Sequence, residues 1–270
     1  MQNYRSRDII TSRVAELDES SFSVKSVSIR HLISRDIQTN LNDNYSEHSG
    51  LVCAWYNETP ILPSLSVARR INFVIKRLFD VIASAIGLII LAPLFLFITL
   101  IIKLTSKGSV FFRQERVGYK GQSFKIFKFR TMYYHRADIS GVEQTKKGDC
   151  RVTKVGKILR KTSFDELPQL INVLRGEMSF VGPRPFVKGQ LAAGVPYKQI
   201  VPYYDMRHEV IPGITGWAQA NGYRGPTDKQ SDSIARIEHD MAYIQNMSIW
   251  LDIKIIFLTA MHEFISGNGH

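Results

Sequence analysis

Val81–Ile102, VIASAIGLIILAPLFLFITLII, runs for 22 residues without a charge. As one helix it would measure about 33 Å, enough to cross a hydrocarbon core. A soluble core helix that is apolar all round is the poorer reading of such a segment. Pro93 falls near its middle, where proline removes a backbone hydrogen bond and kinks the helix. Both flanks are basic: Arg69, Arg70, Lys76 and Arg77 precede it, and Lys103, Lys107, Arg113 and Arg116 follow. A single span concentrates positive charge on one side. Symmetric flanks with a central proline favour a helix-break-helix that dips into one leaflet and returns, although proline-kinked spans also exist.

Upstream, residues 1 to about 68 are rich in Ser, Asp, Asn, Glu and Arg and carry no long apolar period. They read as a partly disordered polar arm, without an apolar region of the signal-peptide kind. Across the 270 residues, 35 Lys and Arg stand against 24 Asp and Glu, a formal net charge of +11. That excess suits nucleic acid, anionic lipid or a phosphorylated substrate. The basic residues do not form one continuous run, which argues against a nucleic-acid partner. Cys53 and Cys150 show no metal-type spacing and fit a reducing compartment rather than a disulfide scaffold.

Downstream, alternation through Phe124, Ile126, Phe127 and Phe129 predicts a strand carrying Lys125, Lys128 and Arg130. After a polar loop (136–150) and the basic RVTKVGKILRK comes RKTSFDELPQL, residues 160–170. Ser163 and Glu166 fit a capping box, and Asp165 is itself a good N-cap ahead of Pro168. Leu167, Leu170, Ile171 and Leu174 follow at helical spacing, with Gly176 as the stop. MSFVGPRPF predicts a rigid turn and RHEVIPGITGWAQANGYRG a loop. Two helices close the chain, around IARIEHDMAYIQNMS and IWLDIKIIFLTAMHEFI, the latter packed on the domain or laid on a membrane interface.

No G-x-x-x-x-G-K-[ST], G-x-G-x-x-G or Asp-x-Asp occurs in the chain. Phosphate handling would then rest on cationic side chains and helix N-termini. Arg184, between Pro183 and Pro185, is held with little entropy to lose, as phosphate recognition wants, or is a surface arginine in a turn. Trp217 and Gln219 could stack on and hydrogen-bond a base or sugar, or Trp217 could anchor the core. His208 and His239 read as structural.

KRLFDVIASAIGLIILAPLF, FKIFKFRTM, RKTSFDELPQLINVLRGEMSFVGPRP, RHEVIPGITGWAQANGYRG and WLDIKIIFLT occur in this order. In that order they resemble the bacterial sugar transferases, the monotopic polyprenyl-phosphate phosphoglycosyl transferases. The resemblance covers about Arg70 to Ile265 and implies transfer of a sugar-1-phosphate from a UDP-sugar to undecaprenyl phosphate, with release of UMP and with magnesium. It implies a mixed α/β, mainly helical monotopic membrane protein at the cytoplasmic face of the bacterial inner membrane. A polar arm (1–68), a re-entrant membrane helix broken at Pro93 (69–103) and a small catalytic domain (104–266) would make up the chain. Asp165 would be the nucleophile and Glu166 a magnesium ligand. Lys128, Arg130, Arg160, Arg184, Arg207, Gln219 and Arg224 would bind substrate, and a homodimer is compatible with the pattern. A model carboxylate near pKa ~3.9 is ionised at neutral pH and needs no partner base. Two departures stand out: Ala92-Pro93 replaces the family's frequent Ser-Pro, and the arm is too polar for the four spans that larger members carry. NGYRGPTD (221–228) is similar to the form in members using UDP-glucose or UDP-galactose. Arg224, Thr227 and Asp228 could bond sugar hydroxyls, unless the run is a plain surface loop.

Overall fold

The computed structural model describes residues 67–134, 148–225 and 229–266, all within one compact unit. Side chains are described from Arg70 to His262 within those limits. The polar arm, Cys53, most of the 136–150 loop, Thr227 and Asp228 lie outside the described residues.

The apolar segment is two helices: α1, Val67–Ile90, and α2, Ala92–Thr105. They meet at Leu91 with a bend of 60°. Pro93 sits in the first turn of α2, where its missing N–H is tolerated; one turn deeper it would clash with a preceding carbonyl. The expectation of a break at the proline holds, with the hinge falling just ahead of it. Among the described residues no single helix is long and apolar enough to cross a membrane. Ile71, Val74, Ile75, Leu78, Ile82, Ile86 and Ile89 are exposed at helical spacing, so one side of α1 is an open apolar stripe. Leu96, Phe97, Leu100 and Leu104 continue it on α2.

Two of the basic flank residues are built into the fold. The Lys76 ammonium lies 2.7 Å from the Asp252 carboxylate, in a buried pair. Arg77 donates to the carbonyls of Val173 (2.7 Å) and Leu174 (3.2 Å). Those carbonyls belong to the last turn of the helix Gln169–Arg175, so Arg77 satisfies groups that a helix end leaves open.

β1 (Phe111–Val117) and β2 (Ser123–Phe129) form an antiparallel hairpin in which Arg116 faces Phe124 and Phe112 faces Lys128. Phe111, Phe129 and Phe95 stack together and close a core with Ile98, Ile102, Val110 and Leu159. α3 (Lys154–Lys161) starts at Thr153, whose hydroxyl accepts from Gly156 N at 2.8 Å. A short 3-10 turn, Phe164–Glu166, precedes α4 (Gln169–Arg175), which Gly176 ends at φ 87°. The C-terminal stop is as expected; the capping box is not. Ser163 takes a left-handed φ of 56° and its side chain caps nothing, so neither it nor Asp165 starts the helix; Pro168 precedes it instead.

α4 packs between β2 and α1, which explains its composition. Toward β2 it buries Gln169, Asn172 and Val173, and Asn172 bridges Phe127 N (2.9 Å) and the Lys125 carbonyl (2.8 Å). Leu170 reaches toward Gly87 on α1, while Leu174 stays 40% exposed. Leu170 therefore addresses α1, not the centre of the domain.

β3 (Ser179–Val181) runs parallel to β6 (Gly213–Thr215), and β4 (Leu191–Ala192) pairs with β5 (Val195–Pro196). α5 (Tyr197–Ile200), a 3-10 stretch (Tyr204–Glu209) and α6 (Trp217–Ala220) lead to the long α7 (Gln230–Asn246) and α8 (Ile249–Ser266). α8 packs on the domain, one of its two expected placements, through buried Asp252 and Ile255, while Trp250, Ile253 and Phe257 are exposed.

Candidate active site

The 3-10 turn after α3 presents Asp165 and Glu166, each only 8% exposed. Glu166 is gripped from two sides. Lys128 Nζ on β2 donates to Oε1 at 2.7 Å, and Arg184 Nη2 donates to the same oxygen at 2.6 Å. Arg184 Nη1 reaches Oε2 at 3.3 Å, which completes a two-pronged grip.

The neighbours drive the two carboxyls apart. Burial raises Asp165 above the usual carboxylate range, with Glu166 adding to the rise and Lys128, Arg160 and Arg184 opposing it. Burial acts the same way on Glu166, but the Arg184 and Lys128 charges outweigh it and hold that carboxyl well below its ordinary value. Asp165 is thus raised from its ordinary value by burial, whereas Glu166 is paired directly with Lys128 and Arg184. Paired carboxyls pushed in opposite directions mark a division of roles.

Arg160, Arg224 and Arg116 complete the ring. Arg160 donates from Nε to Thr131 Oγ1 at 2.8 Å and feels the charge of Asp165. Arg224 donates to Ser163 Oγ at 3.1 Å and feels Glu166 and Asp165. Arg116 holds the Pro185 carbonyl at 3.2 Å and bonds Gln114; burial and the nearby Arg184 push it down to about 10, against the pull of Glu166. Five cations therefore surround two carboxylates, which leaves a site that attracts anions. The sequence reading left Arg116 among the membrane flanks. Pairing VFFRQERV with SFKIFKF across the Gly118–Gln122 turn would have put it on the face of Lys128.

Three expected substrate ligands lie elsewhere. Arg130 points back to α2, donating to the carbonyls of Lys107 (2.8 Å) and Ser106 (2.7 Å). Arg207 is 2% exposed, pairs with Asp240 at 2.6 Å and donates to the Arg184 carbonyl at 2.8 Å. It supports the Arg184 turn from behind. Gln219 makes one long bond, 3.4 Å, to the Ile214 carbonyl. Trp217 is buried with Lys254 Nζ 5.5 Å from its ring, so it is a core anchor and not a stacking platform. His208 is pushed down to about 4 by burial and Arg207, and His239 packs 4.7 Å from the Tyr223 ring; both are structural, as expected.

The Arg184 turn is fixed by close backbone approach. Gly182 N donates to Thr215 O at 2.9 Å and Gly213 N to Pro183 O at 3.0 Å. A methyl at Gly213 would collide with the Gly182 backbone. Gly213→Ala is expected to cost about 1–3 kcal/mol of stability by overpacking and to displace Arg184. Thermal unfolding in detergent measures it, and an unchanged Tm would contradict the tight crossing.

Among the described residues no group of three or more His, Cys, Asp or Glu could hold a metal. A magnesium ion here would take most of its ligands from substrate phosphates and water, the usual arrangement for that ion.

The model of the family described as bacterial sugar transferase matches residues 71–266. The chain belongs to this family. It is 48% identical over 198 residues to the exopolysaccharide production protein PSS of Rhizobium leguminosarum bv. phaseoli, covering 73% of this chain and 99% of that one. The UDP-glucose:undecaprenyl-phosphate glucose-1-phosphate transferase of Klebsiella pneumoniae is 48% identical over 215 residues, 79% of this chain and 45% of its own length. The undecaprenyl-phosphate glucose phosphotransferase of Komagataeibacter xylinus is 50% identical over 194 residues, 72% of this chain and 36% of its own. The chain thus spans less than half the length of the two glucose phosphotransferases and nearly all of the shorter relative.

Proposed function

We propose that this sugar transferase moves hexose-1-phosphate from a UDP-hexose to undecaprenyl phosphate, giving undecaprenyl-diphosphate-hexose and UMP. UDP-glucose is the favoured donor and UDP-galactose the next. The observation that carries the reading is the buried Asp165, next to the paired Glu166, inside a ring of cations that suits a diphosphate. In the first step an Asp165 oxygen attacks the β-phosphorus, the bond to the bridging oxygen breaks, and UMP leaves with that oxygen. A phosphate oxygen of undecaprenyl phosphate then attacks the same phosphorus, and the bond to Asp165 breaks.

Arg184, Arg224, Arg160 and Arg116 offset the charge of the donor, and the rigid Gly-Pro-Arg-Pro turn does so at little entropic cost. Glu166, with the donor's phosphates, would hold magnesium, whose chemistry is to neutralise the diphosphate and the developing charge on the leaving phosphate. Glu166→Gln is expected to weaken both magnesium dependence and stability, because the amide loses the charge that pairs Lys128 and Arg184. A magnesium titration of UMP release checks it, and an unchanged half-saturation point would count against this ligand.

The open apolar stripes on α1, α2 and α8 support seating of the bent helix pair in the cytoplasmic leaflet of the inner membrane, where the lipid acceptor resides. The name of the Rhizobium relative supports a role in exopolysaccharide production, where this transfer would be the first membrane step. UMP release with undecaprenyl phosphate and a panel of UDP-glucose, UDP-galactose and UDP-N-acetylglucosamine tests the donor. Preference for the N-acetylated donor would overturn the hexose assignment alone.

A further inference from the structure

The chain turns into the left-handed region after both α3 and α4, with different residues. α4 uses Gly176 at φ 87°, the residue that adopts the left-handed region without a steric cost. After α3 the chain passes Thr162 at φ −97° and takes that region one residue later, with Ser163 at φ 56°, where a Cβ is unfavourable. A strained non-glycine beside a reacting group points to a use for its side chain. Ser163 is two residues before Asp165. Its N–H donates to the Arg160 carbonyl at 3.2 Å and its carbonyl accepts from Glu166 N at 3.1 Å, so it opens the turn that presents both carboxylates. Its hydroxyl accepts from Arg224 Nη2 at 3.1 Å.

Arg224 sits on a segment with its own anchors. Tyr223 N donates to the Ala218 carbonyl at 2.9 Å, the Tyr223 ring packs on His239, and Arg236 holds the Gly225 carbonyl at 3.0 Å. The arginine therefore joins two firmly held backbones, the Asn221–Gly225 segment and the dyad turn. Glycine at 163 would serve the helix end better; it could not receive this bond.

We propose that Ser163 is a positioning residue, and that the Arg224–Ser163 hydrogen bond is the latch by which the Asn221–Gly225 segment sets the attack geometry of Asp165. Donor contacts made on that segment are thereby coupled to nucleophile placement, a route to specificity expressed in turnover more than in binding. The inference rests on Asp165 as the nucleophile.

The test compares Ser163→Gly, Ser163→Ala, Arg224→Ala and the double variant Ser163→Gly/Arg224→Ala in UMP release and thermal unfolding. Ser163→Gly is expected to lower kcat by about 10-fold with KM for UDP-glucose within about twofold, because misplacement affects the reacting atoms and not the donor's grip. Its Tm should equal or exceed that of Ser163→Ala, since glycine relieves the left-handed strain. A residue with only a structural role would move Tm and kcat together. The double variant should turn over no more slowly than Arg224→Ala, as expected when both changes break one interaction. Wild-type kcat in Ser163→Gly, or additive losses in the double variant, would overturn the latch. Absence of UMP release from the unmodified protein would instead sink the underlying reaction and the latch with it.

Discussion

Asp165→Asn is expected to abolish measurable UMP release, a loss on the order of 10³-fold or more, with the fold intact. An amide is nearly isosteric with the carboxylate but cannot form the acyl phosphate. Stability should move the other way. Burial penalises the Asp165 charge and raises its carboxyl from the ordinary value, so folding disfavours that charge relative to the unfolded chain. Replacing it with a neutral group removes that penalty, and Tm should stay level or rise. Glu166 has the opposite sign: its carboxyl is held well below the ordinary range by Arg184 and Lys128, so it stabilises the native state at neutral pH. Paired Tm and turnover measurements on Asp165→Asn and Glu166→Gln check the contrast. Near-normal turnover in the Asn variant would remove Asp165 from the chemistry.

Arg207→Ala is expected to be among the most destabilising single changes in the domain. The Arg207–Asp240 pair is almost wholly sealed, with side-chain exposures of 1% and 3%. The guanidinium also lies 3.9 Å from the Phe186 ring centroid. Taking away one partner leaves a carboxylate buried and unpaired, which costs about 3–5 kcal/mol. For a unit of this size that is a fall in Tm of roughly 10 °C or more. Turnover should fall as well, because Arg207 holds the Arg184 carbonyl. Removing the stranded charge too, in Arg207→Ala/Asp240→Asn, should recover part of the Tm but not the turnover. An Arg207→Ala variant with unchanged Tm and a raised KM would restore Arg207 as a direct substrate ligand.

The sequence made the candidate site residues legible because their signals are local. Asp165 and Glu166 are adjacent, Arg184 is clamped by its own prolines, and Pro93 announces a break in an uncharged helix. What it could not tell was which way a cation in a motif points. Arg130 and Lys128 sit two residues apart on one strand face, yet Lys128 meets Glu166 while Arg130, just past the strand end, is claimed by the carbonyls closing α2. Arg207 looked like a ligand because its partner, Asp240, is on α7, far away in sequence. Lys76 and Arg77 looked like membrane flanks because Asp252 and the end of α4 are remote as well. That weakens the charge-symmetry argument for re-entry and leaves the 60° bend and the apolar stripes as its physical support. The Ser163 capping box failed for a local reason. The serine closes α3 in the left-handed region, so it was unable to open α4 as an N-cap, which requires an extended backbone.

The measurement that bears most directly on Asp165 as a covalent nucleophile is UMP release from UDP-glucose with no lipid acceptor present. A rapid burst of about one UMP per active enzyme molecule is expected, with a phosphohexose adduct recovered on the peptide containing Asp165 and absent from the Asp165→Asn variant. UMP release that appears only when undecaprenyl phosphate is added, with no adduct under any condition, would contradict the account. Direct transfer between the two substrates would then replace the aspartyl intermediate.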